Sequence, residues 1–201
     1  MRSQAVSVSP IRTRIFVGTI TLFVIFSFCT LDAEARRRRG RDPFQKFQTG
    51  VWFGPITPIH TTADDVDTSL GGGGFIRSAS FFDYFKIGVD SSYQYFESRG
   101  VNTLSLVPVY GNILFRIPLD FPLIFQLKLG AGGSWVKIRP DREDQWDPLF
   151  MVGFEGSFPA GKVVNIGLRI DYLLIYEKHL EGARRNGHII NTGISLYFNL
   201  F

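Results

Sequence analysis

The chain has 201 residues, 45% of them hydrophobic and 15% aromatic, enough for one domain with a large apolar surface. Its 20 Phe and 21 Gly depart from the Leu, Ile, Val and Ala of a core packed in water; they suit strands whose large residues face lipid and whose glycines relieve a narrow interior. The net charge of +4 excludes a uniformly basic body, because residues 36–46 alone carry +5 and residues 47–201 carry −2.

Arg2, Arg12 and Arg14 precede the apolar run 15–28 (IFVGTITLFVIFSF), and Ala33-Glu34-Ala35 supplies a small-residue cleavage signature. Residues 1–35 are therefore expected to be a cleavable secretory signal peptide. The alternative is a membrane anchor, but fourteen helical residues rise only about 21 Å against a hydrocarbon core of roughly 30 Å. Cys29 invites lipidation, against which stands the bulky Phe28 before it. Cleavage after Ala35 would leave no cysteine, and with it no disulfide, thiol catalysis or cysteine-based metal site. The run RRRRGR in the tail 36–46 has the composition of a nucleic-acid segment, but behind a secretory signal it meets anionic lipid phosphates or only solvent.

From Phe47 the chain divides into eight segments of extended character. Period two outweighs the helical stripe throughout. Segments one (47–59), two (70–80) and four (102–117) are the least regular, because Pro55, Pro58 and Pro108 cannot donate to a ladder and must lie at strand ends, bulges or local breaks. The glycine run 71–74 lacks the Lys-Ser/Thr pair of a phosphate loop and reads as a tight turn or a strand crowded from inside. In the third segment Phe85, Ile87, Val89, Ser91, Tyr93 and Tyr95 alternate with Lys86, Gly88, Asp90, Ser92, Gln94 and Phe96. The fifth segment (123–137) turns Leu127, Leu129 and Trp135 outward against Gln126, Lys128 and Ser134. The sixth opposes Phe150, Val152 and Phe154 to Met151, Gly153 and Glu155, and the seventh opposes Ile166, Leu168 and Ile170 to Asn165, Arg169 and Asp171. In the eighth (188–201), Ile194, Leu196, Phe198 and Leu200 share one face, and Gly193, Ser195, Tyr197 and Asn199 share the other. A terminal strand in lipid needs partners for every backbone group, and a closed barrel supplies them.

Connections alternate in character. Those after segments two, four and six are short, whereas HTTADDVDTS, ESRGV, IRPDREDQWDP and EKHLEGARRNG are mostly longer and more charged. Short periplasmic turns and long outer loops are the asymmetry of a bacterial outer-membrane barrel with both termini periplasmic. The outer-loop candidates are then Asp64, Asp65, Asp67, Arg142, Glu143, Asp144, Arg184 and Arg185. The expected fold is all-β, an eight-stranded antiparallel up-and-down transmembrane β-barrel over residues 47–201, preceded by the signal peptide (1–35) and a basic periplasmic tail (36–46).

The segments SLVPVYGNILFRI, IFQLKLGAGGSWVKI, DPLFMVGFEGSF and the terminal GISLYFNLF make residues 47–201 resemble the eight-stranded outer-membrane barrel superfamily of the outer-membrane protein A and X types. The resemblance implies assembly by the barrel-assembly machinery and contact with outer-membrane lipids including lipopolysaccharide, with no cofactor and no nucleic-acid partner. One departure is Asn199, where the superfamily's terminal signal places a lipid-facing residue. Barrels of this size include surface and envelope-structural proteins, small channels, and lipid A acyltransferases and deacylases. No His-x-Ser of the deacylase kind surrounds His60, His179 or His188, so a non-enzymatic role is expected.

His60 with Asp64, Asp65 and Asp67 does not match a calcium loop and reads as a solvated acidic connection, so no metal site is expected. Trp52, Trp135, Tyr172 and Tyr176 are expected in the interfacial aromatic girdles. Lys128, Glu155, Arg169 and Asp171 all have inward parity; buried charges are costly unless paired, which predicts a side-chain-filled lumen with Glu155 bound to Arg169.

Overall fold

The computed structural model describes residues 44, 46–78, 84–97, 103–119, 121–139, 143–176 and 186–200. The expected signal peptide, the RRRRGR run, and the residues Arg142, His179, Arg184, Arg185 and Phe201 lie outside these. Eight strands form: β1 (Phe47–Pro58), β2 (Ser69–Arg77), β3 (Phe85–Glu97), β4 (Thr103–Ile117), β5 (Ile124–Arg139), β6 (Glu143–Pro159), β7 (Val164–Ile175) and β8 (Gly187–Leu200). Each pairs antiparallel with its neighbours in sequence, and β1 pairs with β8 to close an up-and-down barrel. Closure removes the sheet edges, so backbone groups along the wall find partners without water.

The alternation read from the sequence is the alternation of the wall. Val51, Phe53, Ile76, Ile87, Val89, Ile113, Leu129, Val152, Ile170 and Ile194 are exposed on the outer surface. An apolar belt of this extent is unfavourable against water and matches lipid. Among the described residues no helix is long and apolar enough to cross a membrane.

The prolines sit where a missing donor does least harm. Pro58 ends β1. Pro55 falls where the β1–β8 ladder lapses between Phe53↔Ile194 and Ile56↔Asn191, and Pro108 where the β3–β4 ladder lapses between Ser91↔Val109 and Gln94↔Leu106. The glycine run is strand, crowded from within. A Cβ at Gly73 would stand 2.2 Å from the Ser91 carbonyl oxygen.

Two expectations are corrected. The connection between the fifth and sixth segments is mostly strand, because β5 and β6 extend past β7 and leave only residues 140–142 between them. Glu143 and Asp144, expected in a loop, open β6 opposite Ile138 and Lys137. The facing pairs Lys137↔Asp144 and Trp135↔Trp146 explain the longer hairpin, since opposite charges and aromatics across a ladder each stabilise it. The connection between β1 and β2 also contains a single helical turn, α1 (Thr62–Asp65), whose following residue Val66 is buried among the lumen side chains.

Candidate functional site

The lumen is filled in three tiers. At the end where β1 begins, Phe44 is fully buried, although it belongs to the segment expected to be a tail. Its ring lies 4.9 Å from the Lys86 Nζ, and Lys86 also donates to the Lys46 carbonyl at 2.7 Å. Phe44 thus stoppers that mouth through an apolar body and a cation–π contact. At the opposite end Ile56, Val66, Phe96, Leu106, Leu149, Leu173, Ile175 and Ile189 form an apolar tier.

Between them lies a chain of ion pairs. Arg77 on β2 binds Glu155 on β6 through two hydrogen bonds, Nη1 to Oε1 at 3.1 Å and Nη2 to Oε2 at 2.6 Å. Lys128 on β5 lies 3.6 Å from the Glu155 carboxylate and 2.5 Å from that of Asp171 on β7. Arg169 donates Nε to Asp171 Oδ2 at 2.6 Å and Nη2 to Asp90 Oδ2 on β3 at 2.9 Å. Asn112 on β4 completes the line, donating to Asp90 Oδ1 at 3.0 Å. The cations Arg77, Lys128 and Arg169 are matched by the anions Asp90, Glu155 and Asp171, so the formal charge cancels. All six side chains are at most 1% exposed.

Strand order explains why these groups meet. In a closed ring of eight, β2 faces β6 and β3 faces β7 across the axis. Arg77–Glu155 and Asp90–Arg169 are therefore both pairs that cross the lumen, and Lys128 links them from the side. A narrow barrel lets a long guanidinium reach the far wall, and its fork suits a carboxylate. Gly153 supplies the necessary gap. It is the register partner of both Lys128 and Asp171, and a Cβ there would lie 2.0 Å from Asp171 Oδ1.

All four residues of inward parity, Lys128, Glu155, Arg169 and Asp171, are in this chain, but the expected Glu155–Arg169 bond is not. The two are opposite in register, yet Arg169 is engaged by Asp171 and Asp90 and Glu155 by Arg77. Arg77 and Asp90 join the chain beyond the expected cluster, Asp90 from an inward position of the third segment. Trp52 is a second correction. It is 3% exposed and faces the lumen, with the Arg169 guanidinium 4.8 Å from its ring centroid, so it stacks on a charge rather than on the bilayer interface.

Trp135 and Tyr176 are exposed on the outer surface. Tyr172 is half-buried and hydrogen-bonds His188 Nδ1 at 2.7 Å. Asp64 on α1, Asp67 before β2 and Asp144 on β6 are exposed; the Asp67 N–H donates to the Glu97 carbonyl at 3.3 Å. Asp65 closes α1 and Glu143 opens β6.

No family model matches the chain, and no curated protein sequence is similar to it. Solved structures are similar in fold. Neisserial surface protein A superposes with a TM-score of 0.59 at 10% identity, over 77% of this chain and 97% of that one. The N-terminal β-barrel domain of OprF from Pseudomonas aeruginosa gives 0.50 at 12% identity, over 78% and 98%. The chain has the fold of the eight-stranded outer-membrane barrels. An outer-membrane barrel of eight strands has an interior that side chains can fill, and here aromatic, charged and aliphatic tiers fill it in turn.

Proposed function

We propose that this chain is a non-enzymatic bacterial outer-membrane protein whose lumen is shut by its own side chains and which acts as a surface or envelope-structural protein. The observation that carries this reading is the neutral chain of ion pairs across the axis, from Arg77 through Glu155, Lys128, Asp171 and Arg169 to Asp90. Removing water from six charges is costly, and their pairing offsets that cost only while the chain stays intact. The inward carboxylates are held by cations, an arrangement for filling space rather than for general-base work.

In this reading residues 1–35 are removed on export, both termini face the periplasm, and the connections at 59–68, 98–102, 140–142 and 176–186 face outward. The lipid-facing belt contacts outer-membrane lipids including lipopolysaccharide, and the barrel-assembly machinery inserts the chain. The arginine run 36–41 meets anionic headgroups, an attraction of about 1 kcal/mol per cation near such a surface. No cofactor or nucleic acid enters the role.

Surface labelling tests it. With Cys29 removed alongside the signal, cysteine introduced as Asp144→Cys or Gly182→Cys is the sole thiol. An impermeant maleimide should label both on intact cells, and N-terminal sequencing should begin at Arg36. Labelling only after lysis would invert the orientation.

A further inference from the structure

His60 and His188 meet at the barrel mouth opposite the Phe44 stopper. The first lies in the connection after β1 and the second is the second residue of β8. Their ring centroids are 5.1 Å apart with the planes at 67°. The contact is held by backbone: the Ile59 N–H donates to the His188 carbonyl at 2.9 Å, the Ala63 N–H to the His60 carbonyl at 3.1 Å, and the His188 N–H to Thr62 Oγ1 at 3.0 Å. His60 has a φ of 53°, in the left-handed region that few non-glycine residues adopt.

Tyr172 fixes the second ring. Its hydroxyl lies 2.7 Å from His188 Nδ1, and its ring stacks on the imidazole at 25°. A metal bond at His188 Nε2 requires the tautomer in which Nδ1–H donates to the phenol oxygen, and the 2.7 Å contact accommodates that tautomer. Histidines that bind metals characteristically have their other nitrogen held in this way.

Two imidazoles joined to one ion by bonds of about 2.0–2.1 Å at a tetrahedral angle place their centroids about 5 Å apart. The observed spacing agrees. Imidazole favours copper, zinc and nickel among the divalent ions. We infer that His60 and His188 form a two-imidazole seat for a divalent transition-metal ion, with Tyr172 as its positioning residue and water filling the remaining coordination. Among the described residues no group of three or more His, Cys, Asp or Glu side chains is placed to hold a metal, so the seat rests on the two imidazoles and water alone. The ion would tie the first outer connection to β8 across the seam where Pro58 pairs with Ile189 and the barrel closes.

The test is copper(II) titration of the untagged protein in detergent, followed by calorimetry and electron paramagnetic resonance. The wild type should bind about one equivalent, with nitrogen couplings from two imidazoles. His60→Ala or His188→Ala should weaken binding by more than about tenfold and Tyr172→Phe by about tenfold, the usual effect of losing such a support. His179→Ala should leave the affinity unchanged. A wild-type spectrum without two-imidazole coupling would overturn the seat even if a variant failed to fold. So would affinity that survives His60→Ala and His188→Ala but is lost in His179→Ala.

Discussion

Arg77 and Glu155 stand on opposite walls of the barrel and bind each other through both terminal guanidinium nitrogens, at 2.6 and 3.1 Å. The pair is wholly buried and spans the axis from β2 to β6, so it braces the wall against collapse as well as blocking the bore.

Glu155 should be energetically coupled to Arg77 more strongly than to Arg169. Glu155→Gln or Arg77→Met alone leaves a buried charge uncompensated, at about 3–5 kcal/mol, and the double variant should lose less than the sum. Urea-driven unfolding from lipid or detergent measures each. Additive losses for Glu155→Gln with Arg77→Met, beside coupling with Arg169→Met, would reverse the assignment.

Gly153→Ala should destabilise the barrel by about 3 kcal/mol, because the added methyl overlaps the carboxylate of Asp171 and displaces it from Lys128. Gly74→Ala is the control. A Cβ there meets only the Gly50 carbonyl oxygen at 3.6 Å, so the change should stay within about 0.5 kcal/mol. Equal unfolding midpoints for the two variants would contradict the packing described around Gly153.

The three tryptophans should divide by environment. Trp135 and Trp146 are exposed on the outer wall at 48% and 59%, whereas Trp52 lies against Arg169 inside. In single-tryptophan variants reconstituted with brominated lipid, Trp135 and Trp146 should be quenched and Trp52 should not. Strong quenching of Trp52 would return it to the girdle where its residue type first suggested it belonged.

The tryptophan shows what the sequence displays and what it conceals. Along β1 the order Gln48, Gly50, Trp52, Gly54 against Val51 and Phe53 already gives Trp52 inward parity; residue type outweighed period there, and period was right. Lys128, Glu155, Arg169 and Asp171 were legible because their strands alternate cleanly on both faces. Arg77 was hidden by the glycines before it, which contribute no side-chain contrast to β2. Which charges pair was not legible at all. Hairpin neighbours can be inferred from a short turn, but pairs such as β2 with β6 depend on closure and on how far an arginine reaches across a ring. The length of β6 was obscured by acidic residues and Pro148, which resemble a loop until their cross-strand partners on β5 are known.

Side chains close the lumen, and single-channel recording in planar bilayers reads that closure out. Wild-type protein should insert without producing stable conductance steps in potassium chloride, because the apolar tier, the ion-pair chain and Phe44 lie in series along the bore. Discrete ohmic steps from the folded wild-type protein, scaling with salt concentration, would show a continuous water path past Arg77 and Glu155 and rule out a closed lumen.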